Sequence, residues 1–143
     1  MSRNSIFHQK PSSSKGIDKQ TGKVWPIEIE LKKGDIENAV LVLTNNDVKT
    51  YILPYLSSDR KKQIKSEEKI YISMYDCNDA KKEYKGNGIF LQKMNSAYLL
   101  GWNEIIQKKN PQPRDTIEIR YNDSTDFEFL LTIEYVCVYA LIL

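Results

Sequence analysis

"NSAYLLGWNEIIQKKNPQPRDTIEIRY" (residues 95–121) is the stretch on which the fold turns. A short polar turn, Asn95-Ser96, leads into an apolar run from Ala97 to Leu100. Gly101-Trp102 then opens a segment with Ile105 and Ile106 on one side and Gln107, Lys108 and Lys109 on the other, the pattern of a two-turn helix. Pro111 and Pro113 stop that helix, and "DTIEIRY" resumes as an alternating strand. A small open barrel with one closed end accounts for this order. The helix plugs the end, and Trp102 supplies a large buried area. Gly101 is expected to let the chain turn from strand to helix at low steric cost. On this plan the turn "MNSA" projects away from the plug, and its side chains are free for contact.

Working outward, most of the chain reads as β. "WPIEIEL" (Trp25 to Leu31) alternates apolar and polar residues, and Pro26 restricts it to an edge position or an extended lead-in. "KKGD" reads as a turn, "AVLVLT" as a buried strand, "NNDV" as a turn and "YILP" as a short strand ended by Pro54. In "SSDRKKQIKSEEK" a serine N-cap and Asp59 predict a helix over about 58–65. "KIYISMYDC" reads as one half-buried strand and "NDAKKEYKGNG" as a loop. "IFLQK" and "AYLL" make a hairpin around "MNS". "DTIEIRY" and "DFEFLLTIEY" are strands joined by "NDST". About seven short strands and two short helices indicate a barrel or sandwich rather than a parallel sheet. The domain plan is a disordered basic tail (1–23), an extended lead-in (24–38), the barrel (39–133) and an apolar C-terminal tail (134–143).

Composition bounds the chemistry. The chain has 143 residues, 41% hydrophobic and 28% charged, which suits one globular domain with a real core. The only histidine, His8, lies in the polar N-terminal segment, so a histidine-based nucleophilic site within the folded part is ruled out. Cys77 and Cys137 lie far apart without a CxxC, which suits a reducing compartment and gives no zinc ligand set. No phosphate-binding glycine motif occurs. Glu67-Glu68 reads as a solvated helix end. These absences argue against an enzyme and against a cofactor. Residues 1–23 carry five basic side chains against Asp18, whereas residues 24–143 carry 16 basic and 18 acidic ones, a net of −2. Nucleic-acid binding by the folded part would therefore rely on local patches rather than on a general positive field.

Two segments resemble the plant B3-type DNA-binding domain. "NSAYLLGWNEII" with "RDTIEIRY" is similar to that family's second arm, which reads roughly N-S-x-x-Y-V-L-x-x-G-W followed by a short helix and a turn with G-D. Upstream, "LTNNDVKTYILP" is similar to the family's L-T-x-x-D-V followed by a strand ending in L-P. The two matches occur in the family order and span about residues 39–133, with the likeness strongest to its divergent branch. The resemblance implies a mainly β fold, a seven-stranded open pseudobarrel with a helix at each end. It implies a nuclear regulator of transcription whose two arms enter the major groove of double-stranded DNA, with no membrane and no small-molecule substrate.

The first arm would hold Lys49, Thr50 and Tyr51, and the second Lys93, Asn95 and Ser96. These residue types suit base and phosphate contact. Lys81, Lys82, Lys85, Lys108 and Lys109 are expected as further phosphate contacts. Thr44 and Asp47 are expected to tie down their own turn, and Phe90, Tyr98 and Trp102 to pack in the core. The chain also departs from the family pattern. Two residues are missing before Gly101, the first arm is short and lacks an arginine, and Arg114 stands where a glycine is usual. Three function classes stay open: a sequence-specific DNA-binding domain, a degenerate barrel acting as a protein-interaction module with possible regulatory partners, and a small-ligand barrel. The tail "VCVYALIL" is apolar, but the 15 residues from Phe129 include Glu134 and fall short of the roughly 20 needed to span a bilayer.

Overall fold

In "TIEIRYN" every second residue is apolar, and in the computed structural model, which describes residues 25–133, Ile117, Ile119 and Tyr121 are buried while their neighbours are half-exposed. That strand lies second in a five-stranded sheet. The sheet comprises β1 (Ile27–Glu30), β4 (Met74–Asp76), β5 (Lys82–Tyr84), β8 (Thr116–Asn122) and β9 (Asp126–Thr132), in the order β1-β8-β9-β4-β5. β4 runs parallel to β9, and the other pairs are antiparallel. A four-stranded antiparallel sheet comprises β2 (Val40–Leu43), β3 (Ile70–Tyr71), β6 (Ile89–Met94) and β7 (Ala97–Trp102), in the order β2-β7-β6-β3. The two sheets share a core that includes Leu41, Leu91, Leu100, Ile117, Ile119, Phe127 and Phe129. The result is the expected mainly β barrel.

Among the described residues four helices, where two were expected, and one 3-10 turn complete it: α1 (Lys33–Glu37), α2 (Asn45–Tyr51), the 3-10 turn Leu53–Tyr55, α3 (Ser58–Lys65) and α4 (Asn103–Lys109). α3 starts where its serines predict, with the Ser57 hydroxyl accepting from the Arg60 N–H at 3.2 Å. α4 leaves the end of β7 opposite the Asn95-Ser96 turn, as expected for a plug. Trp102 is fully buried at its start. Burying about 200 Å² of indole stabilises the fold by roughly 5 kcal/mol. The indole N–H donates to the Asp35 carbonyl oxygen at 3.0 Å, which ties α1 to the same end.

Several expectations need correction. Among the described residues nine strands form rather than seven. "KIYISMYDC" is not one strand, because the chain bends at Ile72-Ser73 and divides between the two sheets as β3 and β4. "NDAKKEYKGNG" contains β5, whose only buried side chain, Tyr84, is masked in sequence by the lysines around it. "YILP" is helix and 3-10 turn rather than strand, because Thr44 caps α2: its hydroxyl accepts from the Asp47 N–H at 3.0 Å. The lead-in 24–38 contains β1 and α1. β1 pairs with β8 and, as Pro26 requires, sits at the sheet edge. Residues 1–24 and 134–143, and with them the basic and apolar tails, lie outside the described residues.

Gly101 also has a different role from the one expected. It lies within β7, between Val40 and Phe90 on the neighbouring strands. A methyl group there would fall against the Phe90 ring and within 2.6 Å of the Gly88 carbonyl oxygen. The glycine is required by close approach, not by a turn. Arg114 holds a conformation that a glycine would adopt freely. The Asp115 N–H donates to the Gln112 carbonyl at 3.1 Å, closing a turn with Pro113 second and Arg114 third, and Arg114 has φ 81°. Pro second and positive φ third is the pattern of a type II turn, which favours glycine at the third place.

Two outcomes follow for stability, both measurable by chemical denaturation. Gly101→Ala should destabilise the fold by about 1–3 kcal/mol, since the added methyl meets a ring and a backbone carbonyl that are both packed. Arg114→Gly should stabilise it by about 0.5–1 kcal/mol, because the left-handed strain is relieved and only part of that gain is lost to glycine's larger unfolded-state entropy.

Candidate nucleic-acid interface

The turn between β6 and β7 has two residues, with Met94 opposite Ala97. Asn95 takes φ 57°, a left-handed conformation that asparagine tolerates better than most residues. Both Asn95 and Ser96 are exposed. The hairpin beneath them is continuous from Ile89–Trp102 to Met94–Ala97, and its inward side chains Leu91, Tyr98 and Leu100 are buried. The turn therefore rides on a strand pair anchored in the core. Lys93 differs from the expectation that it points outward. It shares the face of Ile89 and Leu91 by the two-residue period of a strand and is half-exposed at the barrel's open end.

β2 runs antiparallel to β7, and its last residue, Leu43, pairs with Tyr98. Thr44 and α2 thus begin beside the hairpin turn, and α2 packs against β7. This brings the two segments expected as arms to the same end of the four-stranded sheet. The first is no loop, however. Lys49, Thr50 and Tyr51 form the last turn of α2. Lys49 is exposed, Thr50 half-buried, and Tyr51 packs against the core. Thr44 and Asp47 tie down their own helix start, as their types predict.

The exit of α3 flanks the hairpin from the other side. Glu67 accepts from the Gln92 side-chain amide through its carbonyl oxygen at 3.0 Å, and from the Asn95 backbone N–H through Oε2 at 3.2 Å. Sequence reasoning missed Glu67 here, because only the docking of α3 against β6 brings it to the hairpin. Lys69 lays its ammonium 4.4 Å from the centroid of the Phe90 ring.

The other candidate lysines lie elsewhere. Lys108 and Lys109 end α4, which starts at the far end of β7 from the turn. Lys109 Nζ pairs with the fully buried Asp76 carboxylate at 2.9 Å, and that bond raises the lysine's pKa. Lys81 pairs with Glu128 at 3.4 Å. Glu128 is 1% exposed and also takes the Arg120 guanidinium at 2.7 Å, which in turn stacks 4.2 Å from the Trp25 ring. Lys82 sits 5.3 Å from the Tyr84 ring. Lys85 is exposed just before the loop that enters β6 at the plugged end. The structure does not bring this group to the hairpin.

Among the described residues no cluster of histidine, cysteine or carboxylate side chains could hold a metal ion. No described helix is long and apolar enough to cross a membrane. Burial raises the Cys77 thiol above its ordinary pKa, with Glu128 adding to the effect, so it is a poor nucleophile.

No family model and no curated protein matches the sequence. Solved structures do match the fold. The chain is 18% identical to a protein in an Arabidopsis FUS3–DNA complex, with 74% of this chain and 94% of that one covered and a TM-score of 0.53. It is 21% identical to a protein in an Arabidopsis thaliana transcription factor LEC2–DNA complex, with 73% and 88% covered and a TM-score of 0.51. At this identity the shared property is the fold, a mainly β barrel.

Proposed function

We propose that this chain binds double-stranded DNA sequence-specifically as a nuclear regulator of transcription. The observation that carries the proposal is the convergence of both arm segments at one end of a barrel that has the same fold as two proteins solved with DNA. The hairpin turn is the base reader. Asn95 and Ser96 are exposed on a strand pair fixed in the core, and a side-chain amide can bond an adenine edge bidentately. Lys93 in the last part of β6 and Lys49 in the last turn of α2 supply the local positive charge, which the net charge of the folded part does not. α2 replaces an extended first arm, so the first segment contributes backbone contacts through Lys49 more than base contacts. No enzymatic step is part of this function.

A protein-interaction module is the alternative, and one observation favours it. Val40, Val42, Ala97, Leu99 and Tyr71 fall on the outer face of the four-stranded sheet, where Val42 is 58% and Tyr71 55% exposed; Phe90, expected in the core, also lies on this face but is covered, with Lys69 over its ring. Exposed apolar patches of this kind mark interaction surfaces. Selection from a randomised duplex pool, followed by a salt series on the recovered site, separates the two. Enrichment of one motif and a steep salt slope support DNA reading, and the absence of both supports the module.

On the selected site, Asn95→Ala should cost about 1–3 kcal/mol in binding with little loss on random DNA, and lower stability by only about 1 kcal/mol, because alanine tolerates the left-handed turn conformation less well than asparagine. Lys49→Gln or Lys93→Gln should each lower the slope of log K against log salt by about one. Lys109→Gln should leave that slope unchanged and lower the denaturation midpoint instead, because it strips the buried Asp76 of its cation.

A further inference from the structure

We propose that Glu67 is the positioning residue of the hairpin arm, and that it fixes sequence discrimination at the expense of raw affinity; this rests on the hairpin being the DNA reader. α3 ends at Lys65, and two residues later Glu67 turns the chain with φ 61°, a left-handed conformation that a glutamate adopts at a cost. From that turn one residue holds the hairpin twice. Its carbonyl oxygen takes the Gln92 side-chain amide on β6, and its carboxylate takes the Asn95 backbone N–H in the turn itself. The second bond matters because a two-residue turn leaves that N–H outside the strand ladder, and a carboxylate is a strong acceptor for it.

The placement is otherwise counterproductive for a DNA-binding surface. A carboxylate held at the turn faces the same anionic backbone that the neighbouring lysines attract, and like charges there weaken every complex, specific or not. What the carboxylate supplies is direction. Bidentate base readout tolerates little misplacement, so the reader must be held by groups behind it. Glu67 bonds both the strand and the turn of the arm from outside the hairpin. A polar residue in the exit of α3 thereby becomes part of the reading head without touching a base.

The test uses Glu67→Ala and Glu67→Gln in the full chain. The glutamine keeps a side-chain acceptor and removes the charge. Two quantities are measured: amide hydrogen exchange at Asn95 in the DNA-free protein, and the affinity ratio between the selected duplex and a random duplex. Glu67→Ala should accelerate exchange at Asn95 and lower the ratio about fivefold or more, while random-duplex affinity holds or rises. Glu67→Gln should keep both the protection and the ratio, and bind both duplexes more tightly at low salt. Unchanged Asn95 exchange in Glu67→Ala overturns the clasp. Accelerated exchange with an unchanged ratio overturns its role in reading. A parent protein that prefers no duplex overturns DNA reading itself, and the exchange data then report on the clasp separately.

Discussion

The fold depends on how closely β6 and β7 approach one another at Gly101. With no side chain there, the Phe90 ring lies across the backbone and the Gly88 carbonyl comes close from behind. That contact fixes where β7 ends, and hence where Trp102 enters the core. Trp102 then decides two further things. Its ring fills the closed end of the barrel, and its indole N–H reaches Asp35 and pins α1, which links the edge of one sheet to the edge of the other. The hairpin turn at the opposite end inherits its rigidity from this anchor, because the strands between them are paired without interruption.

Charge is organised on the same principle of local pairing. Asp76 and Glu128 lie in the five-stranded sheet and are almost entirely inaccessible to solvent. Each has a cation within reach: Lys109 from α4 for Asp76, and Arg120 from β8 with Lys81 for Glu128. Burying a carboxylate without such a partner costs several kcal/mol, so these pairs are tolerated rather than strongly stabilising. The same logic applies to Arg60, which leaves α3 to bond Asp126 at 2.8 Å, while Asp126 accepts from the Ser73 N–H. That bridge fastens α3 to the corner where the chain crosses between sheets. It also sets the position of the helix exit from which Glu67 reaches the hairpin.

The lysines therefore divide by neighbourhood and not by density in sequence. Those of "NDAKKEYKGNG" and of the α4 end were expected as phosphate contacts, yet Lys81 and Lys109 answer buried carboxylates. Lys49 and Lys93 are far apart in sequence, and they are linked only because α2 packs against β7, the partner strand of β6.

Much of the architecture was legible in the sequence because its signals are local. Alternation marked β8 and β9, the serines marked the start of α3, the Gly-Trp junction marked the plug, and Pro26 placed β1 at an edge. The hairpin turn was legible too, since Asn95-Ser96 separates two apolar runs. Only the tertiary structure decided the rest. Whether "NNDVKTYILP" is turn and strand or helix depends on a single cap, Thr44, competing with β-branched residues that favour strand. Whether "KIYISMYDC" is one strand or two depends on which sheet each half can pair with. The role of Gly101 depends on Phe90, eleven residues away in sequence and directly opposite in the sheet. That of Glu67 depends on a turn it meets only after α3 has docked. Propensity and periodicity act over a few residues, whereas close approach, ion pairing and the clasp on the arm are properties of segments brought together by the barrel.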